Sequence, residues 1–297
     1  MVDCAGEFAG KWRQNFVLAK SNWFNIGGPA QYLYKPQSTF ELSRLVKHYG
    51  QHIKITPLGV GSNLLVRDGG INGVVVKFGH EYNYINFNNG LFEVGVSVLM
   101  RDLAKTAAAK NCSGFEFLIG IPGTLGGALA MNAGAYGSDI SKIVKTVEVI
   151  MPNGDIKRIS AKDVGYNYRQ HGLPQDVIFT RAWLEPQATV DQSQIEQLMT
   201  AIMAERQATQ PVTEKTSGST FKNPDNDSAW RLIAAAGCRG LSIGGAMVST
   251  KHCNFFINQN NATAYDMESL IKLVQTKVKN KFDIDLECEI KIVGNKA

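Results

Sequence analysis

GIPGTLGGALAMNAGAYG, residues 120–137, holds six glycines and four alanines in eighteen positions and no charged side chain. Glycine inside a regular element costs about 0.5–1 kcal/mol relative to alanine, so this density needs a compensating gain. Without Cβ atoms a backbone can approach a ligand closely and adopt positive φ, which lets successive N–H groups converge on an anion. A helical pattern begins near Leu125, and the free amides of that helix start would add the positive end of a dipole. The stretch therefore reads as a phosphate-binding loop that runs into a helix.

A second glycine loop lies about 60 residues earlier, in PLGVGSNLLVRDGGINGVVVKF, where Gly59, Gly61, Ser62 and Asn63 separate two strand-like runs. It is not a dinucleotide fingerprint of the Rossmann kind, because G59-V-G61-S-N-L has no third glycine and leads into a strand pattern rather than a helix. Either loop alone reads equally well as a tight turn. Two of them in one α+β domain suit the clamping of a single diphosphate, such as that of a bound FAD.

Around these loops the chain alternates helical and strand patterns. Residues 38–50, STFELSRLVKHYG, offer a Ser38…Glu41 capping box, an apolar face of Leu42, Leu45, Val46 and Tyr49, and a stop at Gly50. Strand-like runs follow at HIKITPLG, GVVVKF, YNYINF and LFEVGVSV, and a second helix covers roughly 99–110. KIVKTVEVIMPNGDIKRIS alternates on both sides of Asn153-Gly154, a strong hairpin signal. After the strand DVIFTRAWLE a polar stretch marks a domain boundary near 186–192, followed by a long helix with Ile195, Leu198, Met199, Ile202 and Met203 on its apolar stripe. The last hundred residues give a helix at SAWRLIAAAG, a strand at NFFIN, a helix with Met267, Leu270, Ile271, Val274 and Val278 inward, and a final strand IDLECEIKIV. Mixed elements with hairpin signals indicate an α+β fold rather than a regular βαβ array.

Length, 44% hydrophobic residues and 19% charged ones describe a well-cored chain of two or three domains. The start shows no cationic flank before an apolar run, and no window supplies the roughly 18 apolar residues of a membrane span, so the sequence reads as cytoplasmic. Five scattered cysteines (Cys4, Cys112, Cys238, Cys253, Cys288) lack C-x-x-C spacing, which argues for idle thiols and no metal site. A net charge of +5 without a run of lysines and arginines does not suggest nucleic acid, and it suits phosphorylated small molecules.

Four polar positions are candidates for chemistry, each with a plainer alternative. Ser219 in SGSTFKNP shares an extended face with Phe221 and Asn223 and is either a turn residue or a proton donor, since no G-x-S-x-G elbow surrounds it. Glu289 falls with Glu287 and Lys291 on the face of LECEIKI opposite Leu286, Cys288, Ile290 and Ile292, a pattern that by itself describes a solvated strand face. Arg169 in GYNYRQHGL is an exposed arginine, a structural ion pair or a carboxylate clamp. His252 in STKHCNFF reads as a hydrogen-bonding histidine.

FNIGGPA (24–30), GVGSNLLVRDGGINGVV (59–75), IPGTLGGALAMNAGAYG (121–137), YNYR (166–169), GSTFKNP (218–224), GLSIGGAMVSTKHCNFFIN (240–258) and LECEIKIVG (286–294) occur in an order that resembles the UDP-N-acetylenolpyruvoylglucosamine reductase family of peptidoglycan synthesis. The resemblance implies a two-part FAD-binding fold of the vanillyl-alcohol-oxidase type (1–77 and 78–188) and a C-terminal α+β substrate domain (189–297) that carries Glu289. It implies non-covalent FAD, contacted by Gly59, Gly61, Ser62, Asn63, Leu64, Gly120, Pro122, Gly123, Thr124, Gly126, Gly127, Ala128 and Asn132. NADPH would be the co-substrate, a UDP-sugar the substrate, and the enzyme a monomer. By the same resemblance Arg169, Ser219 and Glu289 are catalytic, and Tyr136, Lys222, Asn223 and Lys251 contact the diphosphate or sugar. Three departures stand out: Thr209 where the family pattern has a basic residue, Trp23 where a small polar residue is usual, and only 50 residues between Arg169 and Ser219, as in the shorter class of the family. A same-fold sugar or alcohol oxidase and an inactive nucleotide-binding regulator are the alternatives.

Overall fold

Ser38 caps the helix Thr39–Tyr49 as its spacing to Glu41 predicts, its hydroxyl accepting from the Glu41 amide at 3.1 Å. The reciprocal half of the box is diverted: the Glu41 carboxylate accepts from the amides of Gln37 at 2.7 Å and Gly10 at 2.8 Å. Gly50 does not end the helix in a left-handed turn but stays right-handed (φ −61°, ψ −24°). These residues belong to a computed structural model that describes residues 8–297; Cys4 lies outside the described residues.

The chain divides into two units by its internal contacts. The first comprises the described part of 1–13 with 32–59 and 73–205; the second comprises 14–31, 60–72 and 206–297. In the first unit Ile55–Leu58 pairs in parallel with Ile71–Lys77, with Leu58 opposite Lys77. A five-stranded antiparallel sheet follows in the order Ile156–Ser160, Val144–Ile150, Ile178–Leu184, Leu91–Gly95 and Ile85–Asn88. Its core includes Phe92, Val94, Val147, Val149, Ala182 and Leu184, against which Leu103, Phe115, Leu118, Leu125 and Leu129 pack. The predicted hairpin closes through Pro152, Asn153 and Gly154, with Gly154 at φ 88° and paired backbone bonds of 2.8 Å between Met151 and Asp155 and between Gly154 and Met151. That is a three-residue loop rather than a two-residue Asn-Gly turn.

The helix Gln192–Thr209 buries Ile195, Met199 and Ile202 as predicted, whereas Leu198 is 52% exposed. Leu198 falls one position off the i, i+4, i+7 stripe that meets the core. In the second unit Ala264–Phe282 buries all five predicted residues, and its start has a Thr263/Asp266 capping box. Two motifs without obvious chemistry hold that helix: Asp68 accepts from the Ala264 and Tyr265 amides at 3.0 and 3.1 Å, and Arg67 grips Glu268 through two bonds of 2.8 and 2.9 Å. The three-stranded sheet Ser242–Ile243, Ala246–Val248 and Phe256–Asn258 covers its other side. The final strand is shorter than predicted, Lys291–Val293, parallel to Leu64–Val66. Among the described residues no helix is long and apolar enough to cross a membrane.

Candidate active site

In the first unit Pro122–Thr124 runs antiparallel beside Val98–Met100, so the Met100 amide donates to Gly123 O at 3.1 Å and the Leu125 amide to Val98 O at 2.9 Å. Gly126 donates to Val96 O at 2.9 Å. The expectation of free amides at this helix start is therefore corrected for Leu125 and Gly126, which the neighbouring strand end consumes before any ligand could. Ala128 returns to Thr124 O in the ordinary helical way at 3.0 Å. What remains open is the exposed backbone at Gly127, with the buried Thr124 hydroxyl behind it.

The glycines of this stretch divide by what a side chain would meet. At Gly120 a Cβ would lie 2.4 Å from the Tyr136 ring and 3.0 Å from Ile202, and at Gly126 it would lie 3.0 Å from Val96. Both are explained by packing. At Gly127 the nearest atom is Thr124 Oγ1 at 3.9 Å, so the space there is open. A Cβ added at Gly59 would lie 2.7 Å from the same hydroxyl, so the first loop is brought to the second at Thr124. An open cradle bounded by glycine backbone and a hydroxyl fits a phosphate-bearing cofactor.

Lys77, which sequence reasoning passed over, joins this corner. It ends the apolar strand Ile71–Lys77 opposite Leu58, and its ammonium donates to the Gly59 carbonyl. Burial first, and the charge of Lys35 second, hold its pKa below the usual lysine range. A lysine closing an apolar run next to a glycine turn is the signal that could have drawn notice.

The second half of the glycine-rich stretch holds Arg169. Its guanidinium donates to Gly134 O at 2.6 Å and to Asn132 O at 3.5 Å, and the carboxamide of Asn132 donates to Asn167 O at 3.0 Å while accepting from the Ser141 amide at 3.2 Å. Asn167 and Gln170 close the YNYR turn with reciprocal backbone bonds of 3.0 and 3.2 Å, and Arg169 lies 5.0 Å from the Tyr168 ring centre. Burial pushes the neighbouring Tyr166 phenol up. Arg169 has φ 56° and Tyr136 φ 53°; the other non-glycine residues with left-handed φ among those described are asparagines and one aspartate. Bulky side chains there cost about 1–3 kcal/mol and persist only where surroundings impose them. Both strained residues are ones the sequence singled out.

In the second unit Gly61 (φ 67°) must be glycine, because a Cβ would lie 2.5 Å from Asn22 Cβ. Asn22 is buried and ties its own loop through bonds to Leu18 O at 2.9 Å and Ile26 O at 2.8 Å, while the exposed Trp23 offers its amide to Gly61 O at 3.1 Å. Beyond Gly61, the Asn63 carboxamide donates to Glu289 O at 3.1 Å, the Glu289 amide to Thr220 O at 2.8 Å, and the Thr220 amide to Asn254 O at 2.7 Å. Gly218 faces Ser62 O, and Ser217 Oγ donates to Leu64 O at 3.1 Å. One hydrogen-bonded row thus brings Ser62, Asn63 and Leu64 together with Ser219 and Glu289. Asn254, not singled out in the sequence, is buried and pairs its carboxamide with both backbone groups of Phe221, at 3.0 and 2.8 Å.

Ser219 is half-buried and bridges Phe255, while Phe221 bridges Cys288 on the other side. Glu289 is half-buried as well, so the solvated-face pattern does not describe it; the segment 286–290 is anchored by single bridges rather than a regular ladder. Of the remaining candidates, Lys222 Nζ pairs with Glu287 at 2.5 Å, Asn223 accepts from the Ala229 amide at 3.0 Å, Lys251 Nζ donates to Gln207 O at 2.5 Å, and the Tyr136 hydroxyl to Ile202 O at 3.5 Å. His252 accepts the Asn254 amide at Nδ1 (3.3 Å) and stacks edge-on with Phe255, and burial depresses its pKa.

Known proteins align with these features. The sequence profile described as "FAD binding domain" matches residues 30–160, and that described as "UDP-N-acetylenolpyruvoylglucosamine reductase, C-terminal domain" matches 210–293. The chain is 46% identical over 292 residues to the UDP-N-acetylenolpyruvoylglucosamine reductase of Orientia tsutsugamushi (strain Ikeda), covering 97% of this chain and 96% of the relative. It is 44% identical over 285 residues to that of Anaplasma marginale (strain St. Maries), covering 96% and 94%. The crystal structure of UDP-N-acetylenolpyruvylglucosamine reductase from Thermus caldophilus superposes with a TM-score of 0.83 at 31% identity, over 96% of this chain and 99% of that one.

Proposed function

The chain belongs to the UDP-N-acetylenolpyruvoylglucosamine reductase family, and from that premise we propose how its residues serve the reaction. It is an FAD-containing oxidoreductase of peptidoglycan precursor synthesis, and its α+β fold carries the FAD-binding domain. NADPH is the reductant in this reading, the enolpyruvyl ether of UDP-N-acetylglucosamine the substrate, and UDP-N-acetylmuramate the product. The enzyme acts as a cytoplasmic monomer.

When bound, FAD supplies the two-electron transfer to the carbon–carbon double bond of the enol ether. Gly59, Thr124 and Gly127 would hold the cofactor, with Gly120, Pro122, Gly123, Gly126, Ala128 and Asn132 shaping that wall, and the family resemblance names Gly61, Ser62, Asn63 and Leu64 as further contacts. Reduction at the terminal carbon leaves negative charge next to the substrate carboxylate. Arg169 binds that carboxylate with two parallel N–H donors. Glu289, when protonated, is the acid that the family resemblance assigns to hydrogen-bond donation toward the developing charge. Ser219 gives its hydroxyl proton to the carbanion, whose basicity drives the transfer. Tyr136, Lys222, Asn223 and Lys251 contact the sugar nucleotide.

The observation that carries this reading is the strained backbone at Arg169, held by the carbonyls of Asn132 and Gly134 at the end of the glycine-rich helix. Strain retained under a guanidinium is what a fixed carboxylate clamp requires. The row from Asn63 through Glu289 to Thr220 supports the pairing of acid and proton donor. Purified protein is expected to be yellow, to bleach with NADPH without oxygen, and to recolour on addition of the enolpyruvyl sugar nucleotide. Recolouring with oxygen alone would favour an oxidase, and a colourless preparation unable to take up FAD would overturn the reading. Size-exclusion chromatography tests the monomer.

A further inference from the structure

We propose that Lys77 is a cofactor-binding residue: its ammonium, seated on the Gly59 carbonyl, meets the negative charge of the dinucleotide diphosphate at the Thr124 cradle. The inference rests on the FAD reading above and adds the group that balances the charge. Val74, Val75 and Val76 are buried, so the strand delivers Lys77 from the core with little freedom, directly opposite Leu58, the residue before Gly59. The carbonyl of Gly59 takes one N–H of the ammonium and leaves two donors to be satisfied. Gly59 in turn lies against the Thr124 hydroxyl, and that hydroxyl borders the open space at Gly127. Cation, hydroxyl and open backbone therefore converge on one corner of the first unit.

The charge around Lys77 points the same way. A half-buried ammonium is costly unless an anion accompanies it. The charged side chain that acts on Lys77 is a second lysine, Lys35, and burial together with that like charge makes the protonated form harder to keep. A neutral ligand would do nothing for such a group, whereas a diphosphate would stabilise it through charge-assisted hydrogen bonds.

The test uses full-length apo-protein titrated with FAD by flavin fluorescence, for wild type and for Lys77→Met, Lys77→Gln and Lys77→Arg, with riboflavin as a ligand that has the ring system but no phosphate. The Met and Gln variants are expected to raise the FAD dissociation constant at least about tenfold, as for a lost charge-assisted hydrogen bond, and Arg to stay within about threefold of wild type. Riboflavin binding should not move. If Lys77→Met fails to fold, the Gln and Arg pair carries the comparison. Wild-type FAD affinity in Lys77→Gln, or equal losses for FAD and riboflavin, would overturn the proposal. A wild-type protein that binds no flavin would instead bring down the FAD reading, so the two failures are told apart by the wild-type titration.

Discussion

The glycine-rich stretch of the first unit and the Asn63–Glu289–Thr220–Asn254 row of the second reach function by opposite routes. In the first, side chains are removed, yet much of the removal serves packing: Gly120 makes room for Tyr136 and Ile202, and Gly126 for Val96. Only part of the stretch is open to a ligand, and its far end is a bracket for Arg169. In the second, ordinary polar residues from four distant segments are fixed by main-chain bonds, so that the segments of Ser219 and Glu289 lie side by side without any local signature. Stripped side chains mark close approach, whatever approaches; the candidate acid and hydroxyl are placed by pairing between segments.

The most damaging change should be the removal of the proposed proton donor from the row. Ser219→Ala is expected to slow product formation at least about 10²-fold, the scale of a lost general acid, while bleaching by NADPH stays close to wild type. Anaerobic stopped-flow measurement of the two halves checks it, and equal losses in both would count against the assigned role. The next change tests whether pairing really places the chemistry. Asn254→Ala strips two buried bonds from the Phe221 backbone and should cost about 2–4 kcal/mol of stability, because each unsatisfied buried group costs about 1–3 kcal/mol. Chemical denaturation reads this directly, and a loss below 1 kcal/mol, on the order of a single exposed bond, would show that the row does not depend on Asn254.

Two glycine variants sharpen the other side of the comparison. Gly127→Ala meets no protein atom closer than 3.9 Å and sits within Leu125–Met131, so the apo-protein should gain up to about 1 kcal/mol from helix propensity. FAD affinity should nevertheless fall about tenfold if the backbone there is approached by the cofactor. Gly120→Ala should do the reverse, costing about 1–3 kcal/mol through overpacking against Tyr136 and Ile202 with a smaller effect on FAD. Flavin titration and thermal melts of both variants separate packing from binding; identical behaviour would erase the distinction.

Periodicity made the helices legible. The stripe Met267, Leu270, Ile271, Val274 and Val278 is buried throughout, because a long helix repeats its signal over several turns. Leu198 and the last strand depart from their patterns for related reasons: one apolar residue beside a stripe is not distinguishable from the stripe, and alternation in LECEIKI does not reveal that only Lys291–Val293 finds a ladder. Only the family resemblance singles out Ser219, Glu289 and Arg169 for catalysis; their local patterns equally describe a turn residue or proton donor, a solvated strand face, and an exposed, ion-paired or clamping arginine. What sequence could not supply was the role of Asn254 and Lys77. A buried carboxamide holding a distant backbone and a lysine seated on a carbonyl are long-range facts, and a linear pattern contains neither.

The smallest effect concerns His252, which lies at the edge of the row and accepts the Asn254 amide. Burial, and less so the charge of Arg239, lowers its folded pKa below the ordinary value of 6.5. A histidine depressed in this way stays neutral in the folded protein while the unfolded chain already takes up a proton. Its contribution to stability is therefore complete above pH 6.5 and is lost as pH falls from there towards the folded value. The slope cannot exceed about 1.4 kcal/mol per pH unit for one proton. His252→Gln should flatten the dependence of the melting temperature on pH below 6.5 relative to wild type, starting from a lower plateau because the acceptor for the Asn254 amide is altered. A wild-type curve with the same slope as the variant would mean that the imidazole charges as readily in the folded state as in solution, and that the edge of the row is wetter than its packing against Phe255 and Trp230 implies.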